Sequence, residues 1–198
     1  MLKCLIASPH LMSPTSLVGG PLPTHSRVGR EQQRYGIDGE RLVAGCIPVR
    51  VSSSSSSSHN ISILLITSRG GKGYVFPKGG WESDESCPEA AARETVEEAG
   101  VRGKLEDAPV GRYEFYSGKA ERVHSAHKGR CIAHMFAMHV EEELSSWPES
   151  PARKRIWCSV PEAIQKCRHE WMKDAIRTWI KSIDREDLLC QPASDARM

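Results

Sequence analysis

The chain has 198 residues, 39% of them hydrophobic, and a formal net charge of +2. That is the size of one domain with appendages, with enough apolar material for a core. No apolar run approaches the roughly 20 residues that span a bilayer, which excludes a helical membrane protein. The seven cysteines are scattered, with no Cys-x-x-Cys pair, so free thiols in a reducing compartment are expected rather than a disulfide framework or a zinc site.

Residues 1–30 contain no acid; the first is Glu31. With Lys3, Arg27, Arg30 and several Ser, Thr and Pro, this stretch reads as a disordered tail, the alternative being an acid-poor organelle transit segment. Strands are predicted over 41–49 and 61–67, the first with Pro48 near its end. The seven-serine run 52–58 between them reads as an exposed hairpin loop. Residues 68–73 form a basic, Gly-rich turn; no Gly-Lys-Ser/Thr opens a helix after it, so it is not a P-loop. A short strand is predicted over 74–76, and a turn at Lys78-Gly79-Gly80 after Pro77.

Three more strands follow, over 110–116, 131–140 and 155–158. Tyr113, Phe115 and Tyr116 are expected in the core or in a pocket wall, and the histidines of the second of these strands at core or edge positions. The loop 118–130 carries Lys119, Arg122, Lys128 and Arg130; its His124 and His127 lack the acid or Cys company of a metal site. Ser159-Val160-Pro161-Glu162 is a capping box that opens a short helix. A helix over 171–183 closes the domain, and a polar tail from Asp184 is expected to fray.

The chemistry concentrates in residues 79–101. Seven acids and one arginine, Arg93, give this stretch a charge of −6, which leaves +8 for the rest of the chain. A negative segment in a positive remainder suggests a cation site inside a receptor for a polyanion. Ser86 to Glu89 is a capping box with Pro88 in the first turn, Ala90 to Ala92 favour helix, and Gly100 is placed as a left-handed cap. On that helix Glu94, Glu97 and Glu98 stand at i, i+3 and i+4 and so share one face. Like charges at this spacing cost roughly 0.2–0.5 kcal/mol per pair in the open, and more when crowded. A divalent cation relieves that repulsion, and oxygen-only ligands point to Mg²⁺ or Mn²⁺.

Gly79, Glu85, Arg93-Glu94, Glu97-Glu98 and Gly100, at these spacings, resemble the Nudix box. One position departs: Thr95 stands where that family prefers a bulky aliphatic residue, and we expect slightly poorer packing against the sheet rather than lost chemistry. Phe76 to Glu82, Arg153-Lys154-Arg155 and Trp157 look most like the diphosphoinositol polyphosphate phosphohydrolases, especially the plant type. The resemblance implies an α/β/α sandwich around a mixed sheet, the same α/β class that the order of elements suggests. It places the catalytic domain at residues 31–184, between the tails 1–30 and 185–198, and implies metal-dependent hydrolysis of a diphosphate linkage.

By matching positions, Glu94 and Glu98 are expected metal ligands together with the Lys78 carbonyl. Glu97 is the expected base, with a further metal contact, and Glu85 an outer-sphere partner. Arg93 is expected to clamp the carboxylates, as a structural ion pair or as part of the catalytic set. Arg41, Arg69, Lys78, Gly79, Arg153 and Lys154 are the expected substrate contacts. No clear aromatic pair for stacking an adenine stands out, although Tyr113 and Trp81 stay open for that role. The substrate class expected is an inositol pyrophosphate, with dinucleoside polyphosphates second. The alternatives are an ADP-ribose, nucleotide-sugar or RNA-cap hydrolase, or a catalytically dead module that only senses a ligand; the intact set of glutamates argues against the last. Expected besides are a monomer in the cytoplasm or nucleus (alternatively mitochondrion or plastid), and neither a membrane nor a specific nucleic acid as partner.

Overall fold

A computed structural model describes residues 24–53, 59–117 and 129–189. Most of the serine run, the histidine-bearing loop 118–128 and both chain ends lie outside the described residues.

Two long strands run side by side through the centre: β1 (Arg41–Ser53) and β7 (Arg130–Glu143), parallel, with Arg41 opposite Cys131 and Val49 opposite His139. Each carries two partners on its outer edge, and all of these are antiparallel. β4 (Lys78–Gly80) pairs with the start of β1, and β2 (His59–Thr67) with its end. β6 (Gly111–Tyr116) pairs with the start of β7, and β5 (Val101–Leu105) with its end. β3 (Tyr74–Val75) and β8 (Arg155–Ser159) both pair with β2 and complete a mixed eight-stranded sheet. Helix α1 (Cys87–Ala99) packs on β1, β4 and β5. Helices α2 (Val160–Lys166) and α3 (Glu170–Ser182) pack on β2, β8 and β6. This is the expected α/β/α sandwich.

Local sequence accounts for the helices. Both predicted capping boxes form: Ser86 with Glu89 opens α1, and Ser159 with Glu162 opens α2. Gly100 ends α1 at φ 63° and donates its N–H to the Val96 carbonyl. The core is the apolar seam between the sheet (Ile47, Ile63, Leu65, Met135) and α3 (Met172, Ile176, Trp179, Ile180), all nearly fully buried. Burial of each such large side chain stabilises the fold by about 1.5–3 kcal/mol. Cys46, Cys87, Cys131, Cys158 and Cys167 are free thiols, as expected.

Three expectations need correction. Residues 78–80 are a strand rather than a turn, because Gly45 opposite them has no Cβ; one built there would lie 2.5 Å from the Pro77 carbonyl. Residues 101–105, which carried no strand prediction, pair with β7 across an irregularity at Arg102/Gly103. The chain after Asp184 does not fray at once: Glu186–Leu189 form a 3-10 turn that buries Leu188.

Candidate active site

The last two turns of α1 hold the acids. Glu97 and Glu98 are only 3% and 6% exposed, although both are ionisable. For Glu97 the compensating partner is the Arg93 fork on the same helix. Its Nε and Nη2 donate to the Glu85 carboxylate at 2.9 and 2.7 Å, its Nη1 to Glu94 at 2.9 Å and Glu97 at 3.4 Å, and Nη2 also to the Gly80 carbonyl at 2.9 Å. Arg93 therefore clamps three carboxylates at once and ties the helix to β4. Glu85 also accepts the Glu82 N–H at 3.1 Å. Glu98 has partners of its own. It accepts the Lys78 N–H at 3.0 Å and pairs with Arg153, whose side chain is 5% exposed.

Cations reach each of these acids, yet burial dominates their electrostatics. Burial, then the neighbouring charges of Glu98 and Glu97, push the Glu94 carboxyl up to about 8 against the pull of Arg93. Burial also raises Glu97, against Arg93 and the Arg27 N–H, and Glu98, against Lys78 and Arg153. Buried carboxylates that repel one another are relieved by a hard divalent cation, which takes oxygen donors. Gly79 makes room for the Glu94 carboxylate: a Cβ there would fall 2.1 Å from it. The donors are divided between Arg93 and Arg153, and among the described residues no three His, Cys, Asp or Glu groups form a ready metal cluster. Glu94, Glu97 and Glu98 are nevertheless the clustered oxygen donors available to a divalent cation here.

The end of α1 is tied down from outside. The Glu149 N–H reaches the Glu97 carbonyl at 3.1 Å, and the Trp147 Nε1–H reaches that of Glu98 at 3.2 Å. Arg155 Nη1 donates to Ala99 at 3.1 Å and Gly100 at 2.9 Å. These carbonyls are the ones a helix end leaves without partners. The Trp147 ring packs so closely on Gly100 that a Cβ there would lie 2.5 Å from it.

Beside Glu98 opens a cavity of about 420 Å³. Arg69, Lys78, Arg153 and Arg168 supply its positive charge, and Phe115 and Tyr116 its apolar wall. The Ser68 hydroxyl at this wall is buried without a hydrogen-bond partner among the described residues. Burial lowers the Lys78 ammonium from its usual value. Burial also works to raise the Glu149 carboxyl, but the bonds from Arg153 and Arg69 hold it below the usual range.

The sequence-based candidates divide accordingly. Arg93, Glu85, Glu94, Glu97, Glu98, Lys78 and Gly79 come together, and Arg69 joins them at the cavity wall. Arg153 is buried and committed to Glu98, Glu149 and the Thr67 carbonyl, so it is no open clamp for an outlying phosphate. Lys154 is exposed and absent from the lining. Arg41 is braced by Gln33 at 2.6 Å, close to Gly80, and also absent from the lining. Neither open candidate for a stacking wall is free: Tyr113 stacks on Trp171 at 5.7 Å, and Trp81 lies edge-on to His134 and donates to the Glu85 carbonyl. Arg168 and His169 line the cavity and escaped sequence reasoning, since they stand at the corner between α2 and α3 in no motif. Arg27 escaped it too: its N–H reaches Glu97 at 3.2 Å, and its guanidinium pairs with Glu82 and Asp84.

The NUDIX domain matches residues 40–179. The chain belongs to the Nudix family. Among its Nudix relatives from Arabidopsis thaliana, the mitochondrial Nudix hydrolase 16 is 53% identical over 156 residues, 76% of this chain and 85% of the relative. The chloroplastic Nudix hydrolase 21 is 43% identical over 156 residues, 78% and 74% of the two chains. Among solved structures, a Nudix hydrolase from Nitrosomonas europaea superposes with a TM-score of 0.53 at 16% identity, covering 72% of this chain and 90% of its own. A binary complex of the C. elegans Ap4A hydrolase gives 0.51 at 17%, covering 72% and 97%. These last two likenesses establish the Nudix fold and no more. This chain is a Nudix hydrolase by family, and no helix among the described residues is long and apolar enough to cross a membrane.

Proposed function

We propose that this Nudix hydrolase cleaves the pyrophosphate of a diphosphoinositol polyphosphate, with linear dinucleoside polyphosphates as slower substrates. The observation that carries this reading is the cavity beside Glu98, where the cations Arg69, Lys78 and Arg168 line a space large enough for a phosphorylated ring. Arg offers two-pronged contacts to phosphate, and Lys a point charge.

In this reading Glu94 and Glu98, with the Lys78 carbonyl, would hold Mg²⁺ or Mn²⁺, which would supply charge neutralisation at the phosphate oxygens. Glu97 takes the proton of the attacking water as its oxygen bonds to phosphorus and the bridging P–O bond breaks. The departing phosphate leaves with the electron pair of that bond. Arg93 orients Glu97 and Glu94 and limits the repulsion between them. Glu85 fixes Arg93 in turn. Arg69 and Arg168 hold the peripheral phosphates.

A nucleotide diphosphate such as ADP-ribose is the second reading, favoured by the half-exposed ring of Tyr116 at the cavity wall. A comparison of kcat/KM for a diphosphoinositol pentakisphosphate, a diadenosine polyphosphate and ADP-ribose, at low and physiological salt, separates the two. The inositol substrate is expected to lead at both, by a margin that narrows as salt screens the cations. A lead for ADP-ribose at both salts would replace the first reading with the second.

The acid-free residues 1–30 and relatives named mitochondrial or chloroplastic support an organelle as the compartment, against the cytoplasm first expected. Microscopy of a carboxyl-terminal fluorescent fusion, with and without residues 1–30, tests this; a diffuse cytoplasmic signal for the full chain refutes it.

A further inference from the structure

Four charged groups of alternating sign run from the cavity mouth to the acids of α1: Arg69, Glu149, Arg153 and Glu98. Their exposure is graded. The Arg69 side chain is 74% exposed, whereas those of Glu149, Arg153 and Glu98 are 12%, 5% and 8% exposed. A pair at the exposed end is held weakly and exchanges readily. At the inner end, loss of a partner leaves an uncompensated buried charge.

Glu149 is the junction of the row. Its Oε1 accepts from Arg69 Nη2, and at 3.5 Å from the Ser26 hydroxyl. Its Oε2 accepts from Arg153 Nε at 2.6 Å. Its own N–H caps the Glu97 carbonyl. One residue outside the Nudix box thus touches both the substrate side and the catalytic helix.

We propose that Glu149 is a positioning residue: it divides the Arg153 guanidinium between itself and Glu98, and it holds Arg69 at the cavity mouth until a substrate phosphate takes its place. The inference rests on the reading that Glu98 binds the metal and Arg69 a phosphate. With Glu149 neutral, Arg153 has one anion left and turns its whole charge on Glu98. A cation at Glu98 is then bound more weakly. Arg69 meanwhile loses the anion that competes with substrate. Metal affinity and substrate affinity therefore move in opposite directions.

The test uses the full chain and its Glu149→Gln variant. Mn²⁺ binding to the metal-free proteins is followed by the electron paramagnetic resonance of free Mn²⁺. KM for a diphosphoinositol pentakisphosphate is measured at saturating Mn²⁺. Expected are an Mn²⁺ Kd raised about tenfold, the scale of losing a residue that orients a ligand, and a KM lowered about threefold. Unchanged Mn²⁺ binding, an unchanged KM, or a loss of both affinities together overturns the proposal, the last because it marks a merely structural role. If Glu149→Gln does not fold, Glu149→Asp, which keeps the charge but withdraws it from Arg69, decides by its KM, which falls if the proposal holds and is unchanged or rises if it does not. Glu98→Gln serves as the control for the underlying reading: wild-type Mn²⁺ binding there refutes the metal site itself, whatever Glu149 does.

Discussion

Replacement of Glu94 by Gln is expected to stabilise the metal-free protein. Glu94 lies against Gly79 and keeps an acceptor oxygen for Arg93 Nη1 after the change, so the shape of the site is retained. What changes is charge. Burial and the neighbouring acids hold the Glu94 carboxyl up at about 8, against an ordinary 4.5. Below pH 4.5 or so the group is neutral in both the folded and the unfolded chain and has no effect. As the pH rises towards 8 the unfolded chain ionises freely while the folded one resists, so stability falls through that window. At about 1.4 kcal/mol per pH unit the loss has an upper bound of about 5 kcal/mol. Proton sharing with Glu98 and relaxation of the site keep the loss below that bound. For a chain of this size each 1 kcal/mol is about 2–4 °C in Tm. Thermal melts of both proteins in chelator, at pH 5 and pH 8, are the assay. The variant is expected to melt higher at pH 8 and to keep only a small part of that gain at pH 5. With saturating Mg²⁺ the order at pH 8 narrows or reverses, because a cation bound only by the folded wild type stabilises it. Equal melting at pH 8, or the same gain at pH 5, would refute the claim that this carboxylate is held in the fold against its own charge.

Other predictions concern neighbouring parts. Glu97→Gln, read by phosphate release, is expected to lower kcat by about 10²–10⁴-fold, the range for loss of a general base; turnover close to wild type would remove Glu97 from that role. Arg168→Ala is expected to raise KM for a diphosphoinositol pentakisphosphate several-fold more than for ADP-ribose, whereas Lys154→Ala leaves both within twofold, in line with their places inside and outside the cavity. Deletion of residues 1–23, which stops short of the Ser26 and Arg27 contacts, is expected to leave the circular dichroism spectrum and the turnover unchanged. Thr95→Val is expected to melt within about 3 °C of wild type, because the Ala91 carbonyl that accepts the Thr95 hydroxyl at 2.7 Å still has the Cys46 thiol at 3.4 Å.

What could be read from the sequence was what is decided locally. The caps of α1 and α2 depend on residues three apart, and Gly100 on its own φ, so both helices appear where the chain alone puts them. Because the acids are spaced along one helix, their common face was legible too. Strand β4 was not, since its pairing depends on Gly45, more than thirty residues away, lacking a side chain. Strand β5 reads as Val-Arg-Gly-Lys-Leu, too polar and too short to stand out before β7 is placed beside it. Arg153 and Lys154, read together as phosphate contacts, differ in the fold: Arg153 is buried at the cavity and pairs with Glu98 and Glu149, whereas Lys154 is exposed, a difference that tertiary packing alone decides. Thr95, a departure from the family pattern, lies buried on the sheet side of α1, where its place in the helix puts it, and bonds to its own helix.

A helix terminus is ordinarily where a protein breathes first. In this one the terminus carries the acids, and the chain between β7 and β8 is sewn onto it through Trp147 and Glu149, with Arg155 at the start of β8. The last turn of α1 therefore cannot loosen by itself; it opens only when residues some fifty positions downstream come away with it. Amide hydrogen exchange would see the two segments as one cooperative unit, with the Gly100 and Glu149 amides exchanging on a shared clock. A substitution in the β7–β8 connection would then be felt at Glu97 and Glu98 without touching either, which makes that connection the place where variation among related chains can retune the acids while the box itself stays fixed.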